Sequence, residues 1–231
     1  MVYVPEVLGL MKVCVVIPAY NEALKIAYLV EEVKKLGLDV LVIDDGSRDS
    51  TARLAAERGA AVLKNEINQG KGVSLKKGFD YALSKGFDAV IAMDGDGQHL
   101  PEEIPHFMQS AEDSLDSLFI GNRMCQTKNM PLDRYLTNKF MSWMISKVCR
   151  QHIPDTQCGY RLIKKELLDK LDLQTANYEI ESEMLVQTAR LGFKIISLPI
   201  KTVYTGTKSQ INPLKDTWRF TRYILKAARR K

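Results

Sequence analysis

The feature that most restricts this chain is an alternation in its N-terminal half. Short apolar, β-branched runs each empty into a polar loop, and each loop leads into a segment of helical period. Lys12 to Ile17, Val40 to Ile43, Ala60 to Leu63 and Ala89 to Met93 have strand length and composition. Between them Ile26, Leu29, Val30, Val33 and Leu36 recur at helical spacing until Gly37 stops the run. An alanine-rich helix then ends at Arg58, and a third helix carries Val73, Phe79, Ala82 and Leu83. Strands alternating with helices predict right-handed β-α-β units, hence an α/β fold with a mainly parallel, twisted sheet and helices on both faces. The polar loops all follow strands, so their functional groups meet along the carboxyl edge of the sheet, where open α/β sheets bind ligands.

One of these loops points to chemistry directly. The strand Ala89 to Met93 runs into Asp94-Gly95-Asp96-Gly97-Gln98-His99, and in extended chain residues i and i+2 face the same way, so Asp94 and Asp96 address one point. Two carboxylates suit Mg²⁺ or Mn²⁺, which prefer oxygen ligands and take the rest from water and substrate phosphates, with Gln98 as a third protein group. A polar turn closing a strand would use the same residue types. At two neighbouring strand ends Tyr20, Glu22, Asp44 and Asp45 offer a flat ring and placed acceptors of the kind a base and ribose need. Asp44 or Asp45 would accept from a ring N–H and Glu22 from ribose hydroxyls. Gly70-Lys71-Gly72 permits close backbone approach at a helix start, with Lys71 near phosphate. The spacing of a nucleoside-triphosphate P-loop and that of a dinucleotide fingerprint are both missing.

Beyond His99 the pattern predicts a helix opening at Pro101, a strand from Ser117 to Gly121 ending at Asn122-Arg123, and a mobile polar loop over the site from Gln126 to Asp133. A helix from Arg134 to Cys149 follows, then a second functional loop from Pro154 to Leu162, another helix, and a late strand from Ile195 to Val203. With 45% hydrophobic and 26% charged residues the chain reads as globular, and no apolar run reaches the ~20 residues of a membrane span. A net charge of +5 argues against an extensive nucleic-acid surface but suits anionic small molecules or lipid. The four cysteines are scattered, indicating neither a zinc site nor a disulfide framework, and a reducing cytoplasm is the expected setting. The first ten residues do not show a secretory signal and stand outside the fold argument.

Taken in order, Pro18-Ala19-Tyr20-Asn21-Glu22, Asp44-Asp45-Gly46-Ser47, Asn68-Gln69-Gly70-Lys71-Gly72, Asp94-Gly95-Asp96-Gly97-Gln98-His99 and Gly159-Tyr160-Arg161 resemble the family 2 inverting glycosyltransferases. Within them the likeness is to the polyprenyl-phosphate sugar synthases, the group that includes dolichyl-phosphate mannose synthase. The resemblance implies a GT-A fold over residues 12–212, a nucleotide-sugar donor of GDP-mannose or UDP-glucose type, Mg²⁺ or Mn²⁺, and a polyprenyl phosphate acceptor. It implies donor contacts at Pro18, Tyr20, Glu22, Asp44, Asp45, Lys71 and Asp94, and metal ligation at Asp94, Asp96 and Gln98. Catalytic roles fall to Asp96, Asp155 and Arg161, with Asp155 either a base or an orienting group. Arg123, Arg134, Lys208 and Ser209 are candidates for cradling the acceptor phosphate, a task that favours guanidinium forks.

Residues 213–231 combine Trp218, Phe220, Ile224 and Leu225 with seven Lys and Arg residues. This is a basic amphipathic helix that either lies on a membrane surface or docks on the core. The expected location is the cytoplasm, peripheral to the cytoplasmic face of a membrane. A glycan or protein acceptor, or a nucleotide-sugar-binding module without catalysis, are the competing functions.

Overall fold

The fold was analysed in a computed structural model, which describes residues 11–127, 130–201, 220 and 222–224. Lys208, Ser209 and most of the basic segment 213–231 lie outside these residues, as do 128 and 129 of the expected loop over the site. Seven strands form one sheet, β1 (Val13–Ala19), β2 (Asp39–Asp44), β3 (Ala61–Lys64), β4 (Ala89–Ala92), β5 (Leu118–Asn122), β6 (Arg161–Lys164) and β7 (Ile195–Pro199), in the order β3-β2-β1-β4-β6-β5-β7. The first four strands are mutually parallel, and β5 pairs in parallel with β7. The helices are α1 (Ala23–Lys35), α2 (Thr51–Glu57), α3 (Lys71–Ser84), α4 (Ile104–Glu112), α5 (Leu132–Cys149), α6 (Lys165–Leu168) and α7 (Glu179–Arg190).

Strand alternation explains why both faces are covered. Val13, Val15 and Ile17 of β1 point to one side, where Ile26, Leu29, Val30 and Val33 of α1 and Phe107 of α4 pack on them. Cys14 and Val16 point to the other, against Leu75 and Phe79 of α3 and, further along the sheet, Ile145 of α5 and Ile180 of α7. Every second residue thus enters a separate core, which is why these strands read as continuous apolar runs. Gly37 ends α1 with φ +76°, a conformation that a side chain disfavours. Phe220 and Ile224 are buried in the second core beside Ile145 and Cys149.

The structure corrects one element. Arg161 to Lys164, expected as the end of a loop followed by helix, is β6, antiparallel to both β4 and β5. Its four residues begin with a charge and carry no β-branched alternation, so local pattern does not disclose it; pairing on both sides creates it. The insertion of β6 separates β4 from β5 and brings the loop 154–160 alongside Asp94.

Candidate active site

Two loops, after β1 and β2, are tied together by their own polar side chains. The backbone N–H groups of Asn21, Glu22 and Ala23 donate to Ser47 Oγ, Thr51 Oγ1 and Asp49 Oδ2, at 2.9, 2.8 and 3.1 Å. Arg48 N–H donates in return to Asn21 Oδ1 at 2.9 Å. Asn21 takes a left-handed φ of 57°, which its short polar side chain tolerates. The loops bracing each other fix Tyr20 and Glu22 next to Asp44 and Asp45.

The two aspartates then behave differently. Asp45 braces the next loop: it accepts from Asn65 Nδ2 at 2.7 Å, Gln69 N at 2.9 Å and Gly70 N at 2.8 Å. Asp44 accepts from Ser47 N at 3.2 Å through Oδ1, while its buried Oδ2 accepts no hydrogen bond and has the Lys64 ammonium at 4.0 Å. A buried carboxylate oxygen in that state costs free energy until a donor completes it.

At the end of β4 the carboxylates crowd. Gly95 brings this loop against the first, since a Cβ there would lie 3.3 Å from Pro18 O and 3.5 Å from Glu22 Cγ. Burial and the negative charges of Asp96 and Asp49 push the Glu22 carboxyl up to about 7. Asp96 is raised by burial and by Asp94, and its two oxygens accept from Gln98 N at 2.9 Å and Gln98 Nε2 at 2.8 Å. Asp94 goes the other way. Burial opposes its charge, but the Lys71 ammonium at 2.5 Å, helped by His99 and Arg123, outweighs burial and lowers its pKa. Lys71 is held on its other side by Glu181 of α7 at 2.6 Å, and the two carboxylates drive its pKa upward against burial. Gly159 roofs this triad; a Cβ there would lie 2.8 Å from Asp94 Oδ2 and Glu181 Oε1 and 2.9 Å from Lys71 Nζ.

His99 sits behind Asp94, buried and stacked on Tyr160 at 4.9 Å. Its Nδ1 accepts from Asp94 N–H at 3.1 Å, and burial brings its pKa down to about 4, so the ring is a neutral wedge at neutral pH.

The glycines around Lys71 do allow close backbone approach, but to the chain itself. Ala176 O accepts from Gly72 N at 2.8 Å, and a Cβ on Gly70 or Gly72 would meet that carbonyl group at 2.6 Å. Asp155 is fully buried and gripped by Arg123, whose Nε, Nη2 and backbone N–H donate to it at 2.7, 2.9 and 3.0 Å. These bonds hold its carboxyl below the usual range despite burial. Arg161 donates to the carbonyls of Cys158, Glu181 and Thr156 at 2.9, 2.7 and 3.1 Å, so it locks loop 154–160 to α7. Arg134 stands in the first turn of α5, where its charge acts on Asp96. Glu181 and the carbonyl of Ala176 are participants that residue patterns do not disclose, because an acid within a helix ordinarily reads as solvated.

Among the described residues no cluster of three or more His, Cys, Asp or Glu side chains is arranged to hold a cation by itself. The donor set still fits Mg²⁺ or Mn²⁺, because such ions are commonly held by one or two carboxylates and complete their shell with water and substrate phosphate. Burial is the main reason that Glu22 and Asp96 are both raised, with Asp96 adding to Glu22 and Asp94 to Asp96, while the cations Lys25 on Glu22 and Lys71 and Arg134 on Asp96 pull the other way.

Residues 14–172 match glycosyl transferase family 2. An undecaprenyl-phosphate mannosyltransferase of Micrococcus luteus is 32% identical over 84% of this chain and 84% of its own. A UDP-N-acetylglucosamine–dolichyl-phosphate N-acetylglucosaminyltransferase of Methanococcus voltae is 29% identical over 82% of this chain and 85% of its own. Among solved structures, glucosyl-3-phosphoglycerate synthase of Mycobacterium tuberculosis in complex with Mn²⁺ and UDP superposes with a TM-score of 0.69 at 19% identity, over 94% of this chain and 78% of that one, a likeness of fold. With its strand-end carboxylates, its mixed sheet and this span of matched sequence, the chain belongs to glycosyl transferase family 2 and is a polyprenyl-phosphate sugar synthase-like glycosyltransferase.

Proposed function

We propose that the enzyme transfers a hexose, with inversion, from a nucleoside-diphosphate sugar of the GDP-mannose or UDP-glucose type to a polyprenyl phosphate at the cytoplasmic face of a membrane. The observation that carries this reading is the convergence of Glu22, Asp94 and Asp96 at the carboxyl ends of adjacent parallel strands β1 and β4. The names of the relatives from Micrococcus and Methanococcus support the acceptor.

In this reading the base and ribose lie over Tyr20 and Glu22, and a donor group of the nucleotide completes Asp44. Asp94, Asp96 and Gln98 would hold Mg²⁺ or Mn²⁺, which when bound stabilises charge developing on the departing diphosphate. Lys71 keeps Asp94 ionised and aimed, and Glu181 keeps Lys71 in place. A phosphate monoester, with a second pKa near 6, is largely dianionic at neutral pH and attacks without a strong base. Asp155, with its lowered pKa, is a poor proton acceptor and serves to hold Arg123, which with Arg134, Lys208 and Ser209 cradles the acceptor phosphate. Arg161 positions the loop that carries Asp155.

The test is a screen of radiolabelled GDP- and UDP-sugars with purified protein, Mg²⁺ or Mn²⁺ and a short polyprenyl phosphate, followed by organic extraction. Label in the organic phase that disappears with EDTA and with Asp96→Ala supports the reading. Label that stays aqueous for every donor, while calorimetry shows that one donor binds, would replace the acceptor.

A further inference from the structure

His99 closes the loop that carries Asp94 and Asp96, and it does so from a place that substrate does not reach. The hydrogen bonds of the sheet along β4 end at Met93, whose N–H donates to Val16 O at 3.0 Å. The next N–H, that of Asp94, donates instead to Nδ1 of His99, five residues on, at 3.1 Å. Inside the loop closed in this way, Asp96 accepts from Gln98 N at 2.9 Å and Gln98 Nε2 at 2.8 Å, and Gly97 turns the chain with φ +73°. The two carboxylates thus sit on a short ring of chain whose ends are joined by one imidazole.

Two more direct roles are closed to this imidazole. At 2% exposure it does not touch a donor or a leaving group. Neither nitrogen is open to a cation: Nδ1 accepts the Asp94 N–H, which leaves the ring proton on Nε2, and Nε2 faces Cys158 Sγ at 4.0 Å. Asp94 Oδ2, 3.9 Å from Nδ1, is too far away for a hydrogen bond.

The ring is seated by the loop that carries Asp155. It stacks on Tyr160 with 4.9 Å between centroids and the planes 17° apart, and Phe107 of α4 backs Tyr160 at 4.7 Å. The Tyr160 hydroxyl donates to the carbonyl of Leu100, the residue after His99, at 3.0 Å. A phenylalanine would pack here as well. Packing alone does not call for an acceptor aimed at the N–H of the first carboxylate residue.

We propose that His99 is a positioning residue, whose Nδ1 clips the carboxylate loop into the shape that a divalent cation and a nucleoside diphosphate need and registers it against the loop of Asp155. The inference rests on the metal-assisted reading above. His99→Phe keeps an aromatic ring and removes the acceptor, whereas His99→Asn removes the ring and keeps an oxygen on the same γ carbon. Mn²⁺ binding to the full chain is followed by water-proton relaxation in the presence of UDP and, separately, GDP. Affinity should fall about tenfold or more in H99F and stay within about threefold of wild type in H99N, since partners behind a metal ligand carry effects of that size. Thermal unfolding should drop in both variants, so a purely structural role would make affinity follow stability. Equal affinity in all three proteins, or an H99N loss as large as that of H99F, would overturn the clip. In the wild type, long-range ¹H–¹⁵N spectra should show the Nε2–H tautomer of His99, and the Nδ1–H tautomer would overturn it whether or not the variants fold. A wild type that takes up no Mn²⁺ with either nucleotide would sink the metal reading instead. The clip is then decided in the metal-free protein, where Asp94 amide exchange should be about tenfold or more faster in H99F than in wild type and H99N, and unchanged exchange in H99F would refute it.

Discussion

Replacing Arg123 with Ala tests whether Asp155 is braced by it. The change removes two guanidinium bonds of 2.7 and 2.9 Å and leaves a fully buried carboxylate with only the N–H groups of residues 123 and 157, at 3.0 and 3.3 Å. Breaking a buried pair by deleting one partner costs about 3 kcal/mol or more, since the other charge stays in a medium of low polarity. With a urea slope of about 3 kcal/mol per molar for a chain of this size, the midpoint should fall by about 1 M at pH 7. Asp155→Asn should cost less, and the double variant R123A/D155N should be more stable than the sum of the single losses predicts, by about 1 kcal/mol or more. The pH dependence has a definite sign. Asp155 titrates lower in the folded protein than in the unfolded chain, so its contribution is fully present above the ordinary carboxylate pKa of about 4 and is lost as pH falls through the folded value. The gap between wild type and R123A should therefore narrow in acid. A midpoint shift under about 0.3 M, or additive single effects, would refute the brace.

Gly159→Ala should be destabilising by about 1–3 kcal/mol and should weaken nucleotide-sugar binding, because its Cβ meets Asp94, Glu181 and Lys71 at 2.8–2.9 Å; calorimetry with the donor and thermal unfolding would read both effects. Gly78→Ala would ordinarily favour a helix by about 1 kcal/mol, but here the new Cβ runs into the side chain of Val16 on β1. Its unfolding midpoint should drop, and Val16→Ala in the same chain should recover part of the loss. Of the four free cysteines, only exposed Cys125 should react quickly with a thiol reagent at pH 8. Burial pushes Cys14, Cys149 and Cys158 up to about 12, so they should react only on unfolding, as timed by absorbance with and without denaturant.

The sequence by itself determined the α/β class, the parallel half of the sheet and the loops of interest. The apolar runs at β1, β2 and β4, the helical spacing of α1 and the position of each polar loop after a strand are all local patterns. Strand direction then dictates that Glu22, Asp44 and Asp94 share one edge. The direction of β6 was not available locally, because its four residues become a strand only by pairing with β4 and β5. The tertiary structure also decided which charged groups are free and which are occupied. Asp44 and Asp45 are adjacent and chemically identical, yet Asp45 holds three N–H groups while Oδ2 of Asp44 has no hydrogen bond and only the Lys64 ammonium at 4.0 Å. Asp155 in loop 154–160 and Arg161 at the start of β6 are close in sequence, but Asp155 is held by Arg123, just past the end of β5, and Arg161 reaches across to the carbonyl of Glu181 on α7. Hydrogen-bond partners and desolvation depend on what the fold brings within a few ångströms across the sequence, and a reading along the chain carries no distance of that kind.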